Sequence, residues 1–340
     1  MDIVFYRKDV SVSHLMGVDL GFGNIKLYDK NGATTYASHV SVATGERFAD
    51  AMGDGQSVRA AVIEFSDNRF YTGHYAGYEG VSVGNLGLER LVGSLEIRAL
   101  LYSAFSKHMG TYSKLRNPLT LYVGLPFSML KESDASSVQS SMEGWLLGDH
   151  WWKYNGESFK VNVESIVLKP QAAGALFDYI LNIDGAPNGN AGILKSEVGI
   201  VSIGYNTIEL MVLNGGKQVD RMGGSDMLGV RRLLELLNKG KMYTLTELDT
   251  LLRDNRLNGE MKSGINAWSE MVTAYISTAW AATWKRFGKV IVVGGGATPA
   301  LLSSKIDAYF DGKAVVPSDP IQSIARGLYK RGVADAKRRG

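Results

Sequence analysis

Cysteine is absent from the 340-residue chain, which excludes a disulfide framework, a cysteine nucleophile and the usual structural zinc site, and fits a reducing compartment. No apolar run approaches the roughly 18 residues that a membrane-spanning helix needs, so no membrane segment is expected. The first fifteen residues, MDIVFYRKDVSVSHL, carry Asp2 and Asp9 and lack both an apolar core and a small-residue cleavage pattern. They read as an extension or a first strand, not as a signal peptide. An excess of one charge is also missing, since 37 Lys and Arg face 34 Asp and Glu, and a pI near 8.8 is then a weak footprint for nucleic acid. Neither a dinucleotide-binding fingerprint nor a Walker A lysine signature occurs. His14, His39, His74, His108 and His150 are too scattered for a compact metal signature.

Glycine is plentiful. Its 40 residues follow no collagen-like period, and they imply many tight turns and close backbone approaches. A chain of this length suggests two domains, each with its own core. Leu15, Met16 and Val18 lead into Gly21-Phe22-Gly23-Asn24, and Ile25 and Leu27 leave it in period two, which predicts a β-hairpin. Gly21 and Gly23 would let a ligand approach the backbone, although a purely structural hairpin would carry the same glycines. Residues 199–212 repeat the plan, with an apolar strand, a turn at Gly204-Tyr205-Asn206-Thr207, and Ile208, Leu210 and Val212 alternating on the way out. One such unit is ordinary; two point to duplicated halves around a shared site. A third glycine element, Gly294-Gly295-Gly296, follows Val290-Ile291-Val292-Val293, an apolar strand suited to a sheet covered on both faces.

Residues 32–87 are polar and glycine-punctuated, with short strands at 61–65 and 69–72, and form a small inserted subdomain. Leu88, Leu91, Leu95, Ala99 and Tyr102 predict one long amphipathic helix, and Leu119, Leu121 and Val123 a strand. Residues 131–147 predict a helix followed by a loop holding Trp151 and Trp152, which with Trp145 read as packing or as a surface contact. Pro170 suits the first turn of a helix carrying Leu176, Phe177 and Ile180, and residues 184–192 mark a boundary. Val230, Leu233, Leu234 and Leu237 form a helical stripe. A Thr244 cap with Glu247 opens the next helix, and about 260–287 is the longest, its aromatic stripe facing a core. Thr298 and Pro299 open a helix with Leu301, Leu302, Ile306 and Tyr309, and Ser318-Asp319-Pro320 opens the last.

In order and separation these elements resemble the actin and Hsp70 ATPase superfamily, and within it most closely the plasmid-segregation actin-like proteins of bacteria and archaea, from about residue 15 to 331. The motifs carrying the resemblance are Asp19-Leu20-Gly21-Phe22-Gly23-Asn24-Ile25-Lys26, Pro170-Gln171-Ala172-Ala173-Gly174, Ser202-Ile203-Gly204-Tyr205-Asn206-Thr207 and Val292-Val293-Gly294-Gly295-Gly296-Ala297. The resemblance implies an α/β, actin-like two-domain ATPase fold with duplicated halves, four subdomains and a central nucleotide cleft. Domain I would span 1–182 with a small subdomain inserted at about 33–87, and domain II 183–340 with a helical subdomain inserted at about 215–287. It further implies ATP and Mg2+ as cofactors, weak ATPase activity, self-association into cytoplasmic filaments, and a role in plasmid or DNA segregation through a DNA-binding adaptor protein. No helix-turn-helix or ribbon module is visible for direct specific DNA reading.

Residue by residue, the resemblance puts Asp19 beside the magnesium ion, mostly through water, and Lys26 within reach of the β- or γ-phosphate. Gly21, Phe22, Gly23 and Asn24, and opposite them Gly204, Tyr205, Asn206 and Thr207, would hold phosphates. Gly294, Gly295 and Gly296 would approach the adenosine. Gly224 would flank the nucleoside, and Asp226 either does the same or caps the next helix. Gln171 would orient attacking water by hydrogen bonding, since an amide is no base. Ser202 departs from the family, which usually has aspartate there. Its hydroxyl supplies no charge, implying weaker magnesium organisation or slower hydrolysis, and whether Glu209 reaches the ion from further along the strand stays open. Asp249 and Asp254 are expected to be solvated or in local salt pairs. Arg326, Lys330, Arg331, Lys337, Arg338 and Arg339, against Asp335, read as a solvated end or as a contact for DNA or an acidic adaptor. Two rivals remain: a small-molecule kinase using the same clamp, and a nucleotide-regulated scaffold with little turnover.

Overall fold

A computed structural model describes residues 13–43, 59–84, 87–112, 115, 118–130, 133–254, 256, 261–298 and 303–338. Most of the N-terminal extension and the helix-opening residues Pro299, Leu301 and Leu302 lie outside them.

Two sheets carry the chain, and their central strands repeat one plan. In the first, the order is Gly32–Ala37, Asn24–Asp29, His14–Leu20, Leu119–Leu125, Glu157–Pro170. In the second it is Lys217–Gln218, Ile208–Asn214, Glu197–Ile203, Lys289–Val293, Ala314–Val315. In both, the first two pairings are antiparallel and the next two parallel. Each hairpin thus feeds a parallel strand delivered by a helical crossover, and the duplication read from the glycine hairpins is present in the topology. Of the parallel strands, Leu119–Leu125 and residues 290–293 are buried throughout, as central strands covered on both faces are.

The first sheet continues through Gly148–Tyr154 into the inserted strands Ala61–Phe65, Asn68–Thr72, Val40–Val42 and Val81–Ser82. Trp151 and Trp152 therefore lie on a strand and not in the expected loop. Period-two alternation buries Trp152 against Tyr102, rings stacked 4.7 Å apart, and turns Trp151 outward. The helix expected from Leu88 onward is broken. A 3-10 turn, Leu88–Val92, ends at Gly93 with φ +113°, where a Cβ would also strike the Trp145 ring at 2.8 Å. The α-helix restarts at Leu95–Thr111, with Ser94 Oγ accepting the Ile97 amide. Apolar spacing carries across such a break and cannot reveal it. Likewise the long helix of the second half is α-helical only over Met261–Trp280 and tightens to 3-10 at Ala281–Arg286. Its Trp268 and Trp280 are core residues, donating to the Leu228 and Met222 carbonyls.

The final helix, Ser323–Lys337, returns to the first sheet and crosses the helix Gln171–Ile180. The crossing is close because both helices carry glycine there: a Cβ on Gly327 would lie 1.8 Å from the Gly174 carbonyl oxygen, and one on Gly17 2.0 Å from that of Ala325. Around it Ala172, Leu176, Ile324 and Leu328 join Val198, Ile200, Ile291 and Val293 in one apolar cluster that ties the two sheets together.

Candidate functional site

The first hairpin sets Asp19 opposite Lys26, and Lys26 Nζ donates to Asp19 Oδ2 at 2.7 Å. Asp19 is buried and sits level with Gly124 on the next strand. Gln171, the first residue of the helix after Pro170, donates its Nε2 to Asp19 Oδ1 at 2.7 Å. Three residues from two separate motifs thus form one cluster. Beyond it the turn closes when Gly21 N donates to the Asn24 carbonyl at 3.1 Å, and a Cβ on Gly21 would lie 2.6 Å from that same oxygen. Phe22 is different: its ring is buried in the first core, so only its backbone faces the turn.

The second hairpin meets the first. A Cβ on Gly23 would lie 2.6 Å from Tyr205 Cβ, which brings the two turns into contact. Burial pushes the Tyr205 phenol above its ordinary range, so it stays neutral. The Gly204 amide donates to the Thr207 carbonyl at 2.9 Å, while the Asn206 carbonyl accepts from Gly229 at 3.2 Å. Of the three glycines after Lys289–Val293, Gly294 and Gly296 are required by packing, since their Cβ atoms would each fall 2.3 Å from Ile203. Gly295 faces open space and is the one free to approach a ligand. Gly224 pairs with Leu210 on the outgoing strand, beneath the Tyr275 hydroxyl. Asp226 caps no helix: its Oδ1 accepts the adjacent Met227 amide, and the following helix is entered through Gly229.

Ser202 and Glu209 face each other across the second hairpin, the register that Asp19 and Lys26 occupy in the first. The carboxylate stands on the incoming strand in one half and on the outgoing strand in the other. Glu209 is buried, and among the described residues neither of its carboxylate oxygens has a hydrogen-bond partner. Burial pushes its pKa up to about 7; the Asp19 charge adds to this, and the Phe127 backbone opposes it. Sequence reasoning left Glu209 undecided, although its position level with Ser202 was a usable signal.

Asp249 has the local salt partner expected of it, Arg253 one turn on, but it is buried and is also bonded to His39 of the first half, and Asp254 pairs with the distant His74. Arg326 and Lys330 are spent on Asp178 and Arg331 on Asp335, which removes them from a free basic end. Among the described residues no group of three or more His, Asp or Glu side chains is placed to hold a metal ion, and no helix is long and apolar enough to cross a membrane. Two carboxylates, Asp19 and the unpartnered Glu209, fit an ion that keeps much of its water and takes phosphate oxygens.

Residues 17–174 match the family model of the actin-like proteins' N-terminal domain. No curated protein matches the chain. Among solved structures, the apo psk41 ParM protein is 14% identical with a TM-score of 0.71, covering 96% of this chain and 99% of that one. A 15-stranded ParM filament from Clostridium botulinum is 17% identical with a TM-score of 0.73, covering 94% and 99%. The archaeal actin homolog Ta0583, in complex with ADP, is 17% identical with a TM-score of 0.68, covering 96% and 100%. Two sheets of matching strand order, hairpins in contact between them and these likenesses agree: the chain has the actin-like fold over nearly its whole length, and its residues 17–174 match the model of the actin-like proteins' N-terminal domain.

Proposed function

We propose that this chain binds magnesium-ATP between its two halves, polymerises head to tail into cytoplasmic filaments, and moves or anchors plasmid DNA through an adaptor protein while hydrolysing ATP slowly. The observation that supports it most is the meeting of the two glycine hairpins at Gly23 and Tyr205, with Asp19, Lys26 and Gln171 bonded together at the base of the first. Backbone amides of the two turns offer donors to phosphate oxygens. Lys26 neutralises Asp19 here, and turns its ammonium to phosphate when a nucleotide enters. Gln171 has its amide nitrogen held by Asp19, so its Oε1 is left to accept from water and align it. A magnesium ion would neutralise the phosphate charge, with Asp19 and Glu209 holding it or its water.

Ser202 and the raised pKa of Glu209 leave little fixed negative charge in the second half near neutral pH, which favours slow turnover and keeps a regulated scaffold as the second reading. Solved structures of the same fold support the reading: a 15-stranded ParM filament bears on assembly, and an archaeal actin homolog in complex with ADP bears on nucleotide binding. An open head-to-tail contact leaves a complementary face on every terminal subunit, so growth need not close. Purified protein with magnesium-ATP is expected to form long polymers by electron microscopy and to sediment above a critical concentration. Protein that binds ATP yet stays monomeric across the concentration series, with turnover raised by one small metabolite, would establish the kinase instead.

A further inference from the structure

The helix Leu245–Arg253 belongs to the second half in sequence, yet it is fastened to the first. Asp249 Oδ2 accepts from Arg253 Nε, one helical turn on, at 2.8 Å, and lies 2.8 Å from His39 Nε2. With its Nε occupied, the Arg253 guanidinium presents its remaining nitrogens to the first glycine hairpin. One donates to Asn24 Oδ1 at 2.7 Å and the other to the Gly23 carbonyl at 3.1 Å. Thr250 Oγ1 donates to the His74 carbonyl at 3.0 Å, and His74 Nε2 lies 2.9 Å from Asp254 Oδ1.

Leu248, Asp249 and Thr250 are the buried residues of this helix and Leu252 packs half-buried on the second-half core, so the bonds that reach across to the first half are the polar ones from Asp249, Thr250 and Arg253. Few buried apolar contacts mark an element that can release without unfolding its neighbours. Burial alone would raise the Asp249 pKa, but the His39 hydrogen bond and the Arg253 charge lower it, so Asp249 remains an anion that holds the guanidinium. A turn built on two glycines samples many conformations unless something outside fixes it. A planar guanidinium, with donors in a rigid fork, can fix both a carbonyl and a side chain at its tip, which an ammonium cannot do while also holding Asp249.

We propose that Arg253 is a positioning residue for the phosphate loop: anchored by Asp249 and His39, it fixes the Gly23-Asn24 tip and latches the second-half helix across the cleft while a nucleotide polyphosphate is bound. The inference rests on the nucleotide reading above. The bonds that shape the loop are also bonds that join the halves, so the nucleotide leaves only after the latch has opened.

The test is stopped-flow displacement of a fluorescent ATP analogue from the full chain in magnesium. Arg253→Ala is expected to speed release about tenfold with the association rate within about twofold, the equivalent of about 1.4 kcal/mol. Asn24→Ala should speed release less, and the double variant no more than Arg253→Ala alone. Arg253→Lys should rescue only part of the effect. In hydrogen exchange, ATP should protect residues 21–24 and 245–253 together in the wild type, and only 21–24 in Arg253→Ala. Should Arg253→Ala fail to fold, Asn24→Ala, which leaves the helix intact, must still lose the ATP-dependent protection of 245–253. Wild-type release rates in Arg253→Ala, additive effects in the double variant, or protection of 245–253 retained in either variant would overturn the latch alone. A wild type that does not bind the analogue would overturn the nucleotide reading and the latch with it.

Discussion

Replacing Glu209 by glutamine in nucleotide-free protein isolates what an unpartnered buried carboxylate costs. The folded pKa is raised from 4.5 to about 7, so between those values the folded chain holds a proton that the unfolded chain has lost. The stability this gives is full below the unfolded pKa of 4.5 and is lost as pH rises through about 7, where a charge must form in the interior with only the Phe127 backbone near it to offset its burial. At 1.36 kcal/mol per pKa unit the difference amounts to about 3 kcal/mol. Glutamine carries no such charge. In EDTA at pH 8, Glu209→Gln should therefore be more stable than wild type by up to about 3 kcal/mol, or about 4 °C in melting temperature for a chain of this size. At pH 5 the two should melt nearly together. Calorimetry or circular dichroism across pH 5–8 measures this, and the difference between variants cancels the titration of groups common to both. A glutamine variant that melts at or below wild type at pH 8, or a difference that does not grow with pH, would refute the claim that Glu209 is a buried carboxyl lacking a partner.

Asp19→Asn should weaken ATP binding more in magnesium than in EDTA, because it removes the charge that Lys26 now neutralises and an ion would share; titration calorimetry in both buffers reads the difference, and equal affinities in magnesium remove Asp19 from the site. Gly327→Ala should destabilise the fold by roughly 2 to 4 kcal/mol through the clash with the Gly174 carbonyl, measured by urea unfolding, and a neutral result would mean that the helix crossing is looser than described. Ser202→Asp should raise the single-turnover hydrolysis rate, and should do so more in a Glu209→Gln background, where no second carboxylate faces the new one across the hairpin.

Much of this was legible in the sequence because it was local. Alternation on either side of Gly21 and Gly204 showed both hairpins, and their repetition showed the two halves before any topology was known. What escaped depended on contacts between distant segments. Asp249 looked like a surface acid because nothing near it in sequence announces His39. Whether Glu209 reaches the site could not be read from its alternation with Ile208 and Leu210, because period two does not show that the strand is covered on both faces. Gly93 broke a helix whose apolar spacing was perfect on both sides, because the left-handed backbone and the Trp145 ring next to it leave no mark on periodicity.

The return of the last helix to the first sheet has a temporal consequence. During synthesis the strands His14–Leu20 and Leu119–Leu125 leave the ribosome early, but the helix that packs on Gly17, Gly174 and Tyr122 lies at residues 323–337. Until it emerges, one apolar face of the first sheet has only partial cover from the helix Gln171–Ile180, and the first half cannot finish folding ahead of the second, as independent domains would. A nascent chain stalled before residue 323 should therefore remain sensitive to protease throughout its first half and recruit holdase chaperones, and lengthening the tether by a few tens of residues should bring protection to both halves in a single step.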